Sequence, residues 1–159
     1  MKKMNKKGFT LIELLAVIVV LAIVMVIATQ KITDVINSSR SNAFISSYKM
    51  IVKQINTNIV ADPNKITCSD TSTTKCKDIY DISDDYKLTV TDDTTNNKYI
   101  ITLTGNATGK FKNLNLTKYG DASSATKNGN TTEYKCDNAK ISSTVSSCTA
   151  NTITGSVAK

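Results

Sequence analysis

Apolar and polar positions divide the chain into three stretches. From Phe9 to Ala28 twenty residues carry a single charge, Glu13. At about 1.5 Å per residue such a run makes roughly 30 Å of helix, one bilayer core. Leu, Ile, Val and Ala surround the whole cylinder without an interrupting Gly or Pro, so every face suits lipid or another such helix. After Gln30 the pattern turns amphipathic. Ile32, Val35, Ile36, Ala43, Tyr48, Ile51, Val52, Ile55 and Ile59 keep mostly one helical face, and Lys31, Asp34, Arg40, Lys49, Lys53 and serines fill much of the rest. The helix is therefore expected to continue, with an apolar stripe available to a sheet. Asn37–Asn42 is a poor helix former that tertiary packing must hold. Asp62-Pro63 should end the helix, because the residue before a proline avoids the helical region. Phe9 to Ala61 would be 53 residues, about 80 Å long.

The third stretch, Asn64–Lys159, is rich in Thr, Ser and Asn and poor in large apolar groups. Tyr86–Thr91 and Lys98–Thr104 alternate as strands, and the polar Asp92–Asn97 between them suits a hairpin connection. Phe111–Thr117 is expected as a third strand, with Thr132–Cys136 and Asn151–Ser156 as weaker fourth and fifth ones. Gly105, Gly109, Gly120 and Gly129 mark turns, and the polar Asp121–Thr132 reads as an exposed loop. An antiparallel sheet with one face on the amphipathic helix and one solvated suits this composition. The expected fold is α+β: a long N-terminal helix, transmembrane then amphipathic, packed on a small antiparallel sheet head.

Glu13 sits inside the apolar run, where a carboxylate costs about 2.5–3.5 kcal/mol near the bilayer centre and less toward an interface. A secretory signal has a shorter apolar core, and a plain anchor has no use for the acid. The stretch Gly8-Phe9-Thr10-Leu11-Ile12-Glu13 resembles the class III signal of type IV prepilins and the related pseudopilins. The resemblance is close over about thirty residues and architectural beyond them. It implies cleavage by a prepilin peptidase between Gly8 and Phe9, N-methylation of Phe9 by the same enzyme, and pairing of Glu13 with the N-terminal ammonium of a neighbouring subunit as a filament grows. A buried carboxylate is tolerable when a cation partners it. Domains would then be 1–8, a cleaved leader; 9–61, the long helix, with 9–28 as transmembrane segment and filament core; and 64–159, a β-rich head. Many pilins have a helix-breaking Pro where this chain has Gln30 and a Gly where it has Ala22, so here the helix is expected to stay continuous.

The formal charge is +7 from 20 basic and 13 acidic residues. Four of the lysines (Lys2, Lys3, Lys6, Lys7) precede the apolar run and hold that end on the cytoplasmic side. Without them 16 basic residues face 13 acidic ones, a net of +3, which gives little support to nucleic-acid binding. The rest of the chain would lie outside, in an oxidising environment that pairs cysteines. Four cysteines allow three connectivities. Proximity favours Cys68–Cys76 and Cys136–Cys148, each stabilising by roughly 2.5–3 kcal/mol as a staple. Energy alone does not choose, since longer loops would constrain the unfolded chain more. In the family a disulfide often bounds a variable C-terminal loop region, and Cys136–Cys148 resembles a short version of it. Neither spacing is a CxxC.

Other chemistry is thin. With no histidine, a Ser-His or Cys-His pair is excluded, and no phosphate loop is present. No cofactor, metal or catalytic residue is assigned. Asp81, Asp84 and Asp85 cluster, as do Asp92 and Asp93, but their spacing is not that of a calcium loop, and such pairs are common in turns. Asn106, Asn115 and Asn130 open glycosylation sequons of the kind that chance supplies in a Thr-rich chain. Lys87, Lys98, Lys110, Lys112 and Lys118, interleaved with Tyr86, Tyr99 and Phe111, would make only a weak DNA-binding strip, and solvated strand faces explain them as well.

The expected function is a structural subunit, a pilin of a type IV pilus-like surface filament that supports adhesion or motility. Its partners would be copies of itself, the prepilin peptidase, and an assembly ATPase acting through a membrane platform protein. It would sit in the cytoplasmic membrane as a single-pass precursor, then in an extracellular filament. Two alternatives stand beside it: a pseudopilin of a type II secretion or DNA-uptake system, and a membrane-tethered binding module that never polymerises.

Overall fold

A computed structural model describes residues 10–69, 75–112, 114–119, 123–128, 131–136 and 138–159, with only the backbone at 123–128, 131–136, 139 and 140. The chain divides into two units, Met1–Val35 and Ile36–Lys159. Helix α1, Leu11–Ala61, contributes to both and ends one residue before Asp62-Pro63. In the first unit every large apolar side chain from Leu11 to Ile27 is half or more exposed. Thr29 and Thr33 return their hydroxyls to the carbonyls of Met25 and Thr29, each at 3.0 Å. No hydroxyl proton there is left facing an apolar surround.

In the second unit α1 meets an antiparallel five-stranded sheet. Its strands are β1 (Cys68–Ser69), β2 (Tyr86–Asp93), β3 (Lys98–Gly105), β6 (Val145–Cys148) and β7 (Thr152–Ala158), in the order β1-β2-β3-β7-β6. Short helices α2 (Leu116–Tyr119) and α3 (Asn138–Ile141) lie in the connections. Strands β4 (Ser123–Asn128) and β5 (Thr131–Cys136) pair separately. The face that α1 buries is Ser41, Phe44, Ile45, Tyr48, Ile51, Val52 and Ile55. It packs on Leu88 and Val90 of β2, Ile101 and Leu103 of β3, and Ile153 and Val157 of β7. Each large side chain so buried contributes about 1.5–3 kcal/mol. Phe44, Tyr86 and Phe111 add an edge-on ring cluster, with Phe44 and Phe111 centroids 5.1 Å apart.

Several expectations are corrected. The stripe begins too early: Ile32, Val35 and Ile36 are exposed, as is Ala43, while Phe44 and Ile45 are buried one and two positions on. The anticipated strand at Phe111–Thr117 is a 3-10 turn, Gly109–Phe111, followed by α2. Phe111, Leu114 and Leu116 are its buried anchors in the common core, and their spacing of three and then two does not follow the alternation of a strand. The loop expected at Asp121–Thr132 holds β4, and its threonines carry β propensity of their own. Asp92 and Asp93 extend β2, leaving Thr94–Asn97 as the hairpin turn. There Asp93 accepts from the Asn96 backbone and side-chain nitrogens at 3.2 and 2.7 Å, and Asn97 takes φ 52°. These bonds, the side-chain one foremost, hold the Asp93 carboxyl below its ordinary range. Gly105 closes β3, and Gly109 takes φ 82°, whereas Gly120 and Gly129 lie outside the described residues.

The fifth expected strand, Asn151–Ser156, proves to be an inner one, Thr152–Ala158. β7 pairs with β3 from Thr104↔Thr152 to Lys98↔Ala158, and with β6 on its other edge.

Tyr80, just past the 3-10 turn Cys76–Asp78, ties that turn to the segment after α1, its hydroxyl donating to the Ile66 carbonyl at 2.7 Å. Burial pushes that hydroxyl up to about 12, against about 10 in an unfolded chain. The fold favours the protonated form, so its contribution is complete below pH 10 and is lost as pH rises through 12. Two units amount to on the order of 3 kcal/mol. Thermal melts followed by circular dichroism from pH 9 to 12.5 should therefore fall more steeply for the parent than for Tyr80→Phe. Parallel curves would remove Tyr80 from the alkaline response.

Candidate functional site

The site is built at the start of α1. Thr10 is the last residue before the helix, and Leu14 N–H donates to its carbonyl at 3.2 Å. The Thr10 backbone N–H and hydroxyl both donate to Glu13 Oε2, at 2.7 and 2.8 Å, and the Glu13 N–H reaches back to Thr10 Oγ1 at 3.4 Å. This is a reciprocal capping box: it satisfies donors that a helix start leaves open and puts a negative charge at the positive end of the dipole. Glu13 is thereby fixed at the first turn of an apolar cylinder. Thr10 is the residue that the reading of the sequence missed as a participant, although Thr-x-x-Glu before an apolar run is its signal. Gly8 and Phe9 lie outside the described residues.

Behind the cap, α1 is the one described helix long and apolar enough to cross a membrane. Its most apolar 18 residues have a mean hydropathy of 3.2, and none of them is buried. Water is a poor solvent for such a surface, which suits lipid or a bundle of like helices.

Elsewhere the candidate groups are used structurally. Cys68 and Cys76 are joined by a disulfide that ties β1 to the 3-10 turn Cys76–Asp78. Cys148 is also disulfide-bonded, while the side chain of Cys136 lies outside those described. Asp84 pairs with Lys77. Asp85 accepts from the Ser83 hydroxyl at 2.6 Å and the Lys110 N–H at 3.1 Å, which lowers its carboxyl from the ordinary range, the Ser83 bond most. Asp92 pairs with Lys159. Among the described residues no group of three or more His, Cys, Asp or Glu is arranged to hold a metal.

The lysine strip loses its stacking platforms. Tyr86, Tyr99 and Phe111 are 6–7% exposed, so no ring face is offered to a base. Of the sequons, Asn106 spends its amide nitrogen on the Asp84 carbonyl at 2.5 Å. Asn115 caps α2 by accepting from Thr117 Oγ1 and the Lys118 N–H. Asn130 lies outside the described residues.

Residues 3–29 match the family described as the prokaryotic N-terminal methylation motif, the signature of type IV prepilins. The match spans the basic start, the Gly8-Phe9 junction, Glu13 and the apolar run. No curated protein and no solved structure matches the chain.

Proposed function

We propose that this type IV pilin-like chain is a structural subunit of a surface filament, made as a membrane precursor. A prepilin peptidase cuts between Gly8 and Phe9 and methylates the new amine of Phe9. An ATPase acting through a platform protein in the cytoplasmic membrane then moves subunits out of the bilayer. Helices pack side by side through Phe9–Ala28, exchanging lipid contacts for contacts with each other. Glu13 accepts the Phe9 ammonium of a neighbouring subunit and so selects register, because a misplaced subunit leaves a charge unpaired in an apolar bundle. Cys136 pairs with Cys148, and the heads form the outer surface in support of adhesion or motility.

The observation that carries this reading is the lone carboxylate in the unburied apolar stretch of α1, inside a segment that matches the methylation motif. A membrane anchor needs the helix but not the acid. The family of that motif is structural rather than enzymatic.

The processing step is tested at the junction. Gly8→Leu should leave the uncleaved precursor in the membrane fraction and remove filaments from the cell surface. A product of mature size from that variant would contradict the cleavage assignment.

A further inference from the structure

The Ile36–Lys159 unit holds a cleft that the filament reading does not use. It has a volume of about 310 Å³ and is lined by Lys75, Lys77, Asp84, Tyr86, Lys87 and Asn106. That is roughly ten water volumes, at the small end of ligand pockets and room for one sugar ring.

Its walls are set by the fold. The Cys68–Cys76 bridge fixes the 3-10 turn to β1, which pairs with β2 at Cys68↔Val90. Cys76 is wholly buried and disulfide-bonded, so Lys75 and Lys77 flank an anchored residue. Lys87 comes from the outward-facing position beside buried Tyr86 at the start of β2. Asn106 is oriented by its bond to the Asp84 carbonyl.

The charges then differ in availability. Lys77 is spent on Asp84. The side chains of Lys75 and Lys87 are exposed and their ammoniums have no ion-pair or hydrogen-bond partner among the described residues. Two free ammoniums at one cleft call for an anionic group. The Asp84 oxygen that Lys77 leaves open and the Asn106 amide oxygen are acceptors in the same cleft, and they call for hydroxyl donors.

We propose that this cleft binds a carboxylate-bearing sugar, the terminal uronic acid residue of a glycan. Its carboxylate meets Lys75 and Lys87, its ring hydroxyls donate to Asp84 and Asn106, and the edge of Tyr86 closes the floor. Sulfate and the phosphodiester backbone of nucleic acid offer charge without donors and leave these acceptors unmet. The inference concerns the Ile36–Lys159 unit alone and stands whether or not the chain polymerises.

The test uses the full chain in detergent micelles, with amide spectra recorded while methyl glucuronide is added. The expected result is saturable movement of the Lys75, Lys77, Lys87 and Asn106 amides in the millimolar range. Methyl glucoside, which lacks the carboxylate, and sulfate, which lacks the donors, should each bind at least about tenfold more weakly. Lys75→Gln with Lys87→Gln should weaken methyl glucuronide by at least about tenfold while the remaining amides stay in place. Absence of saturation with methyl glucuronide, or equal binding of sulfate, overturns the proposal. Should the double variant lose its fold, the comparison of the three probes on the parent chain decides alone.

Discussion

Glu13→Gln should remove surface filaments as completely as Glu13→Ala, while leaving membrane insertion and cleavage intact. The two substitutions separate the roles that the geometry gives this residue. As the third residue of a capping box, Glu13 accepts from Thr10 N–H and Oγ1, and a glutamine amide oxygen performs that task nearly as well. As the partner of a neighbouring ammonium it needs its charge. A charge left unpaired in an apolar bundle costs about 3–5 kcal/mol, which weakens each subunit addition roughly 10²- to 10⁴-fold. Insertion should not suffer, since a neutral side chain enters lipid more readily than a carboxylate. Cleaved subunits retained in the membrane, with sheared filaments absent, is the expected outcome for both variants. Normal filament yield from Glu13→Gln would reduce Glu13 to a helix cap.

The second large effect is expected in the head. Gly155→Ala should destabilise the Ile36–Lys159 unit by about 3 kcal/mol or more, lowering the melting temperature by on the order of 10 °C. Gly155 lies in β7, facing Ile101 of β3 and Val145 of β6. A Cβ there would overlap the Tyr48 hydroxyl and the Thr144 carbonyl. Those two atoms belong to one arrangement. Tyr48 is fully buried on α1 and meets the Thr144 hydroxyl at 3.3 Å, and the Thr144 carbonyl accepts from Ser156 N–H at 2.8 Å. Adding Tyr48→Phe to Gly155→Ala removes one overlap and leaves the backbone one, so it should restore only part of the loss. A single variant melting within about 2 °C of the parent would show that this strand gives way more easily than its packing implies.

Both effects fall where the sequence is readable to different degrees. Glu13 is conspicuous because a charge in twenty apolar residues contradicts its surroundings. Its partner Thr10 is not, because the same residue serves equally well as part of the peptidase signal. The end of α1 is fixed by Pro63, and the β2–β3 hairpin by alternation from Tyr86 and from Lys98. β7 is faint for a physical reason. Its inner position demands Gly155 where Tyr48 approaches, and Thr and Ser occupy its other face, so its apolar signal shrinks to Ile153 and Val157. β1 and β6 are too short to show a period. The displaced stripe on α1 has a similar cause. Ala43 and Phe44 are both apolar, and only contact with Tyr86 and Phe111 tells which of them turns inward. The pairing of Lys75 with Lys87 is not legible in the sequence, where Lys87 reads only as one lysine of a strip, since the fold alone brings the two to one cleft.

The central claim is that the chain is cut, exported and polymerised, and one measurement reaches all three: intact mass with N-terminal peptide analysis of protein sheared from the cell surface. The account predicts a chain beginning at N-methylated Phe9 in the sheared fraction, with four hydrogens lost, two to the Cys68–Cys76 disulfide and two to the proposed Cys136–Cys148 one. A chain still carrying Met1–Gly8, or one confined to the membranes, would contradict it and leave a tethered module in its place.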